Sequence, residues 1–436
     1  MSRRFFFAVA PALLIVWCAP PSWADNGWHD PLVGTLPLDE WARDKESGGL
    51  RWSEQIAPAR LSSQQRLVLQ MTIQLDGDEV ADRPGKGRLL MLVQIKDAKG
   101  TVWQDHGAID FRKVEAGVRA QYLEYTWSAF VLPGDYRVAL GVVDTQNHDH
   151  GAREERVHVA GMRGDPLPQA WQGLPEVEFL APDQPPESWY LPGTQGHLNL
   201  PMETRRPVQV NVLVNLTPSE RTRNSAGTLN GSLHVLLPAL KVLSQMRSSK
   251  GGIRVTLLDL ARQKVTLDED MAAVQWPALK SALGTDEAST IDVGSLGQWT
   301  EGAEFFVSQV RRRVAEGEGQ ARALVILSSA MGFEKGEDLK PIDASRSPDL
   351  RVFYFRYPAS IERADRRERP MYGGYGRHGG GGMPGGWRRP GYGGREMEID
   401  QLAPTLKPLA PQVHDIESPE QFRKALAEMM DEIARM

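Results

Sequence analysis

The apolar positions of this chain change rhythm part-way along. Between Gln65 and Ala160 they alternate with polar ones in short runs: RLVLQMTIQLD, GRLLMLVQIKD, YTWSAFVLPGDYRVALGVVDTQN and REERVHVAG. Gly, Asp, Asn and Pro clusters such as DAKG and LPGD separate the runs. Period-two alternation in β-branched and aromatic residues marks strands that bury one face. After Pro207 the rhythm becomes mixed. Compact apolar runs (VQVNVLVNL, IRVTLLDL, ARALVILSS, LRVFYFRY) are separated by stretches with helical spacing around Leu229–Met246, Ala272–Leu283, Gly302–Ala315 and Pro419–Met436. Apolar runs without alternation read as strands buried on both faces.

The first rhythm predicts an antiparallel β-sandwich of immunoglobulin-like type over residues 62–160, without the Cys-Trp-Cys frame of antibody domains. Residues 25–61 scatter Trp28, Trp41 and Trp52 among prolines and charges and read as a lead-in that packs on something else. Residues 161–206 are rich in proline, which fixes its own φ and lacks an amide donor, so they predict a semi-rigid connector partly docked through its tryptophans. The second rhythm predicts a doubly wound α/β domain over residues 207–436. Within it, MYGGYGRHGGGGMPGGWRRPGYGGR lies in an insertion of about 361–397 whose composition cannot build a core.

Composition adds little globally: 436 residues, 41% hydrophobic, 25% charged and a formal charge of -5 give no sign of a nucleic-acid partner or an anionic membrane. The first residues change the picture more. Arg3 and Arg4, an apolar stretch from Phe5, and Ser22-Trp23-Ala24 together predict a secretory signal over residues 1–24, cut after Ala24. The general secretory route fits best, and the arginine pair also fits a twin-arginine signal. Cys18 is the single cysteine and lies inside this leader, so disulfide and thiolate chemistry are excluded from the remainder. No later apolar run reaches the roughly 18 residues of a membrane helix. A periplasmic or secreted protein is the expectation.

Candidate chemistry begins at VQVNVLVNLTPSER, where a buried strand breaks into Asn215, Thr217 and Ser219. Polar groups at the carboxyl end of such a strand are placed where ligands meet open sheets. The stretch resembles the first strand and loop of the von Willebrand factor type A family, which carries Asp-x-Ser-x-Ser there. The resemblance covers residues 207–436, including the closing LAPTLKPLAPQVHDIESPEQFRKALAEM. It implies a site at Asn215, Thr217, Ser219, Thr300 and Ser329, with both family aspartates replaced, by Asn215 and Ser329. Mg²⁺ is usually held through one or two carboxylates, so the implied metal site has decayed, leaving a rim with no cofactor. Glu220 and Glu301 lie beside the rim and are the acids that could substitute.

Two further clusters compete. Asp144, His148, Asp149, His150 and His158 have zinc-ligating chemistry but read more simply as a hairpin loop. The Gly/Arg/Tyr insertion resembles single-strand nucleic-acid-binding segments; the leader argues against such a partner. The chain contains no G-x-S-x-G, H-E-x-x-H or P-loop signature, and no G-x-G-x-x-G that opens a helix after a strand. The expected function is a non-catalytic, exported, protein-binding or adhesion-type module whose partner is a protein or envelope component. The alternative is a secreted hydrolase using scattered carboxylates.

Overall fold

The computed structural model describes residues 34, 36–43, 49–83, 87–114, 116–180, 195–217, 233–260, 262–283, 299–316, 320–331, 341–342, 349–357 and 400–436. The leader, the Gly/Arg/Tyr-rich insertion, Ser219 and Glu220 lie outside them.

A short helix α1 (Leu38–Trp41) precedes strands β1 (Trp52–Leu61) and β2 (Leu67–Asp76). Helix α2 (Gly77–Ala81) leads to β3 (Arg88–Asp97), β4 (Val102–Asp110), β5 (Tyr122–Val131), β6 (Gly134–Asp144) and β7 (His150–Val159). With β8 (Val177–Phe179) these form two four-stranded antiparallel sheets, ordered β1-β2-β5-β8 and β4-β3-β6-β7. Alternation builds their shared core. In β2, Leu69, Met71, Ile73 and Leu75 point inward beside Leu89, Met91, Val93 and Ile95 of β3, while Thr72 and Gln74 point away. Each fully buried aliphatic side chain contributes about 1.5–3 kcal/mol. Strand β6 is buried on both faces because Leu38 of α1 seats on Gly141, where a Cβ would lie 2.4 Å from Leu38 Cδ1.

Next come β9 (Leu200–Met202), β10 (Val208–Asn215), α3 (Leu233–Leu243), β11 (Met246–Ser248), β12 (Ile253–Asp259) and β13 (Lys264–Asp270). Helices α4 (Trp276–Leu283) and α5 (Trp299–Ala315) precede β14 (Ala321–Ser329) and β15 (Leu350–Tyr357). The chain closes with α6 (Leu402–Leu406), β16 (Gln412–Asp415) and α7 (Pro419–Arg435). A six-stranded mixed sheet runs β13-β12-β10-β14-β15-β16, with an antiparallel β12–β13 edge and otherwise parallel neighbours, while β9 and β11 pair separately. Val208, Val210, Val212 and Val214 of β10 face α3 and α7, whereas Leu213 faces α5 and α6. Gly251 (φ 113) makes the turn into β12 possible, because a Cβ there would stand 2.0 Å from the Val208 carbonyl oxygen. Helix α7 is set by Ser418, whose Oγ accepts from Gln421 N at 3.3 Å, and by Phe422, Leu426, Met429 and Ile433 on one buried stripe.

This arrangement corrects the expected fold class, a doubly wound, von Willebrand type A-like or Rossmann-like domain after an immunoglobulin-like sandwich. Among the described residues strand exceeds helix, 43% against 27%, and the strands are spread over several sheets in which antiparallel pairings predominate. The apolar runs misled for a physical reason: a strand buried on both faces looks alike in a parallel and a mixed sheet. Pairing direction leaves no trace in local periodicity.

Among the described residues, no helix is long and apolar enough to cross a membrane.

Candidate functional site

The polar groups at the carboxyl ends of β10, β14 and β15 gather on the sheet face that carries α5 and α6. Asn215 ends β10 fully buried, and both halves of its amide are engaged. Its Nδ2 donates to Ser328 Oγ at 2.9 Å, and its Oδ1 accepts from Thr217 N at 3.0 Å. Thr217 Oγ1 accepts from Leu260 N at 2.7 Å, tying the β10 exit to the end of β12. Ser328 Oγ donates to the Ser329 carbonyl at 2.8 Å, and its hydroxyl also meets the Tyr354 phenol.

The chain of contacts continues through residues that sequence reasoning did not single out. Tyr354 donates to Asp400 Oδ1 at 3.4 Å, and the Asp400 carboxylate also accepts from Leu402 N at 3.1 Å and from Arg356 Nη1 at 3.2 Å. Burial pushes the Asp400 carboxyl up, and Arg356 with the amide donors pulls it back. Burial, followed by the Asp400 charge, drives the Tyr354 phenol well above its ordinary value. Arg356 also holds Asp415, Nε to Oδ1 at 2.6 Å, and that bond chiefly raises the guanidinium's pKa. Asp400 had one local signal: an Asx residue two positions before Leu402, placed to cap α6. Nothing local announced Tyr354 or Arg356.

The sequence-predicted rim divides. Asn215 and Thr217 are brought together. Ser329 is buried at the end of β14 but is the neighbour, not the partner, of Asn215: Ser328 has the same facing as Asn215, and successive strand residues point to opposite faces. Thr300 lies in the first turn of α5. Glu301 is exposed and accepts from Gln263 Nε2 at 2.9 Å. The contacts of Asn215, Thr217 and Ser328 are neutral hydrogen bonds, and the charge of Asp400 is answered by Arg356. Among the described residues, no three His, Cys, Asp or Glu side chains gather in a metal-ligating group.

The histidine cluster also disperses. Asp144 is buried, paired with Arg83, and accepts from Gln146 N at 2.7 Å. Asp149 reaches the same Arg83 at 3.3 Å, His150 stacks on Trp41 with ring centroids 4.3 Å apart, and His158 Nδ1 meets Asp135 Oδ1 at 2.7 Å. These contacts fix a hairpin and an edge strand.

No family model matches this chain, and no curated protein matches it. Among solved structures, it is similar to a Northeast Structural Genomics Consortium target at 15% identity, over 27% of this chain and 91% of that one, with a TM-score of 0.16. It is likewise similar to a protein of Bordetella pertussis bearing the name ApaA, at 14% identity over 26% and 94% of the two chains, with a TM-score of 0.15.

Proposed function

We propose that this protein is a non-catalytic, exported protein-binding module, and that the rim at the carboxyl ends of β10, β14 and β15 works without a metal ion. The observation that carries the reading is Asn215: where the von Willebrand factor type A family has a carboxylate, this chain has a neutral amide, engaged by Ser328 and by the Thr217 backbone amide, that tethers the strand ends to one another. The leader-like first residues support export. The partner is a protein or envelope component that meets the rim through hydrogen bonds and shape. Arg356 bonds both Asp400 and Asp415, which supports reading the two carboxylates as an ion-paired cluster and not as an acid–base pair.

The test is a thermal unfolding scan of residues 25–436 after chelation, with and without Mg²⁺, Mn²⁺ or Ca²⁺. An ion at a hundred times its dissociation constant stabilises the fold by about 2.7 kcal/mol, or roughly 3 °C if the whole of residues 25–436 unfolds as one unit and roughly 5–10 °C for a separate unit near 200 residues. The expected shift is nil. A rise of that size, lost on Thr217→Ala, would replace the metal-free reading with a working adhesion site.

A further inference from the structure

The sandwich and the six-stranded sheet meet at a second buried polar cluster. Arg423 of α7 is fully buried and grips Asp165 with both arms of its fork, Nε to Oδ1 at 2.6 Å and Nη2 to Oδ2 at 2.7 Å. Nη2 also donates to the Leu167 carbonyl at 2.9 Å, and the guanidinium lies over the Trp171 ring at 4.6 Å. Trp171 Nε1 donates to the Gln65 carbonyl at 2.8 Å, which Arg423 Nη1 reaches at 3.5 Å. Gln65 occupies the β1–β2 turn in a left-handed conformation (φ 63), is itself buried, and donates through Nε2 to the Pro419 carbonyl at 3.0 Å. Three segments far apart in sequence are thus tied by one guanidinium: a sandwich hairpin turn, the proline-rich connector and the first turns of α7.

We propose that this cluster is an inter-module lock which makes the sandwich and the six-stranded sheet a single rigid, cooperatively unfolding body. Modules joined by a linker move relative to one another unless a well-built interface prevents it. Here the interface has two marks of a built one. A bidentate arginine–carboxylate pair fixes orientation as well as proximity. A non-glycine residue is held at positive φ, a strained backbone that persists only where its surroundings enforce it. A second buried arginine at the same junction provides an internal contrast. Arg66 meets Glu178 at only 3.4 Å and the His197 carbonyl at 3.2 Å, and its Nε and Nη2 have no partner among the described residues. Arg66 fills space beside Phe130, whereas Arg423 closes the lock.

The experiment is calorimetry with small-angle scattering on residues 25–436. The unaltered protein should give one unfolding transition. Arg423→Met should split it into two and increase the radius of gyration, and Arg423→Lys, which keeps the charge but not the fork, should do so in part. Arg66→Met should keep one transition. If Arg423→Met does not fold, Asp165→Asn carries the same test with the core face of α7 intact. Two transitions in the unaltered protein, or a single transition with an unchanged scattering profile in Arg423→Met and Asp165→Asn, would overturn the lock.

Discussion

The two halves of this molecule bury their strands differently. In the sandwich, one core lies between two sheets, and β2 keeps Thr72 and Gln74 on its other face. In the six-stranded sheet, β10 and β14 lie between two cores, so polar side chains such as Asn211 and Asn215 of β10 and Ser328 of β14 are buried as well. Polar side chains thus have different consequences in the two places. Along β2 they are solvated decoration; at Asn215 and Ser328 they must satisfy one another, because water does not reach them.

The largest test of that contrast removes core volume. Phe306→Ala, in the core on the α5 face, should cost about 3–5 kcal/mol in urea denaturation, and Met71→Ala in the sandwich core about 2–5. With the lock intact, both should lower the same transition. Separate loss of one half would show that the cores are independent.

A smaller effect separates buried from solvated polar pairs. Asn215→Ala strands the buried Thr217 amide and removes the donor that Ser328 Oγ accepts from, and should cost about 1–3 kcal/mol. Thr72→Ala removes the Thr72–Thr126 hydroxyl contact of 2.9 Å on the open sandwich face and should cost about 0.2–1 kcal/mol. Equal costs would erase the distinction between the two halves.

Acid provides the finest comparison. Burial alone would raise the Asp268 carboxyl on β13, but Arg254 at 2.7 Å and Arg313 at 2.5 Å outweigh it and hold it at about 2. On the sandwich, the side-chain bond from Arg112 holds Asp110 at about 2 as well. A depressed carboxyl contributes stability that is present above its ordinary value and is lost as pH falls through the folded one. Stability should therefore drop between about pH 4 and pH 2. Asp268→Asn should flatten that slope more than Asp110→Asn, because Asp268 joins β12, β13 and α5, whereas Asp110 and Arg112 stay near neighbours in the unfolded chain. A titration of unfolding midpoint against pH decides it.

Legibility in the sequence followed burial. The strands β2, β3 and β6 were readable because their apolar residues either alternate or run continuously. Strand β1 reads as part of a lead-in: WSEQIAPARL lies at a sheet edge, alternating half-buried and exposed residues with a single buried one, Leu61, and Pro58 interrupts its pattern. Strand β4, VWQDHGAID, hides for a similar reason. At the rim, Asn215 and Thr217 were legible as the point where an apolar run turns polar. Ser328 was not distinguishable from Ser329, because the choice between adjacent serines depends on which residue faces Asn215 across the β10–β14 pairing.

By itself, then, the sequence determined where strands and helices form, which runs lie buried on both faces, and where polar groups leave the core. These are properties of neighbouring residues, and a window of ten positions contains the physics that sets them. Only the tertiary structure decided that the strands divide among several sheets with a mixed one at the centre, that Ser328 answers Asn215, that Asp400 is held by Arg356, and that Arg423 binds the two halves. Each of those depends on hydrogen bonds between segments far apart in the chain. Their direction and register follow from the closing of the whole fold.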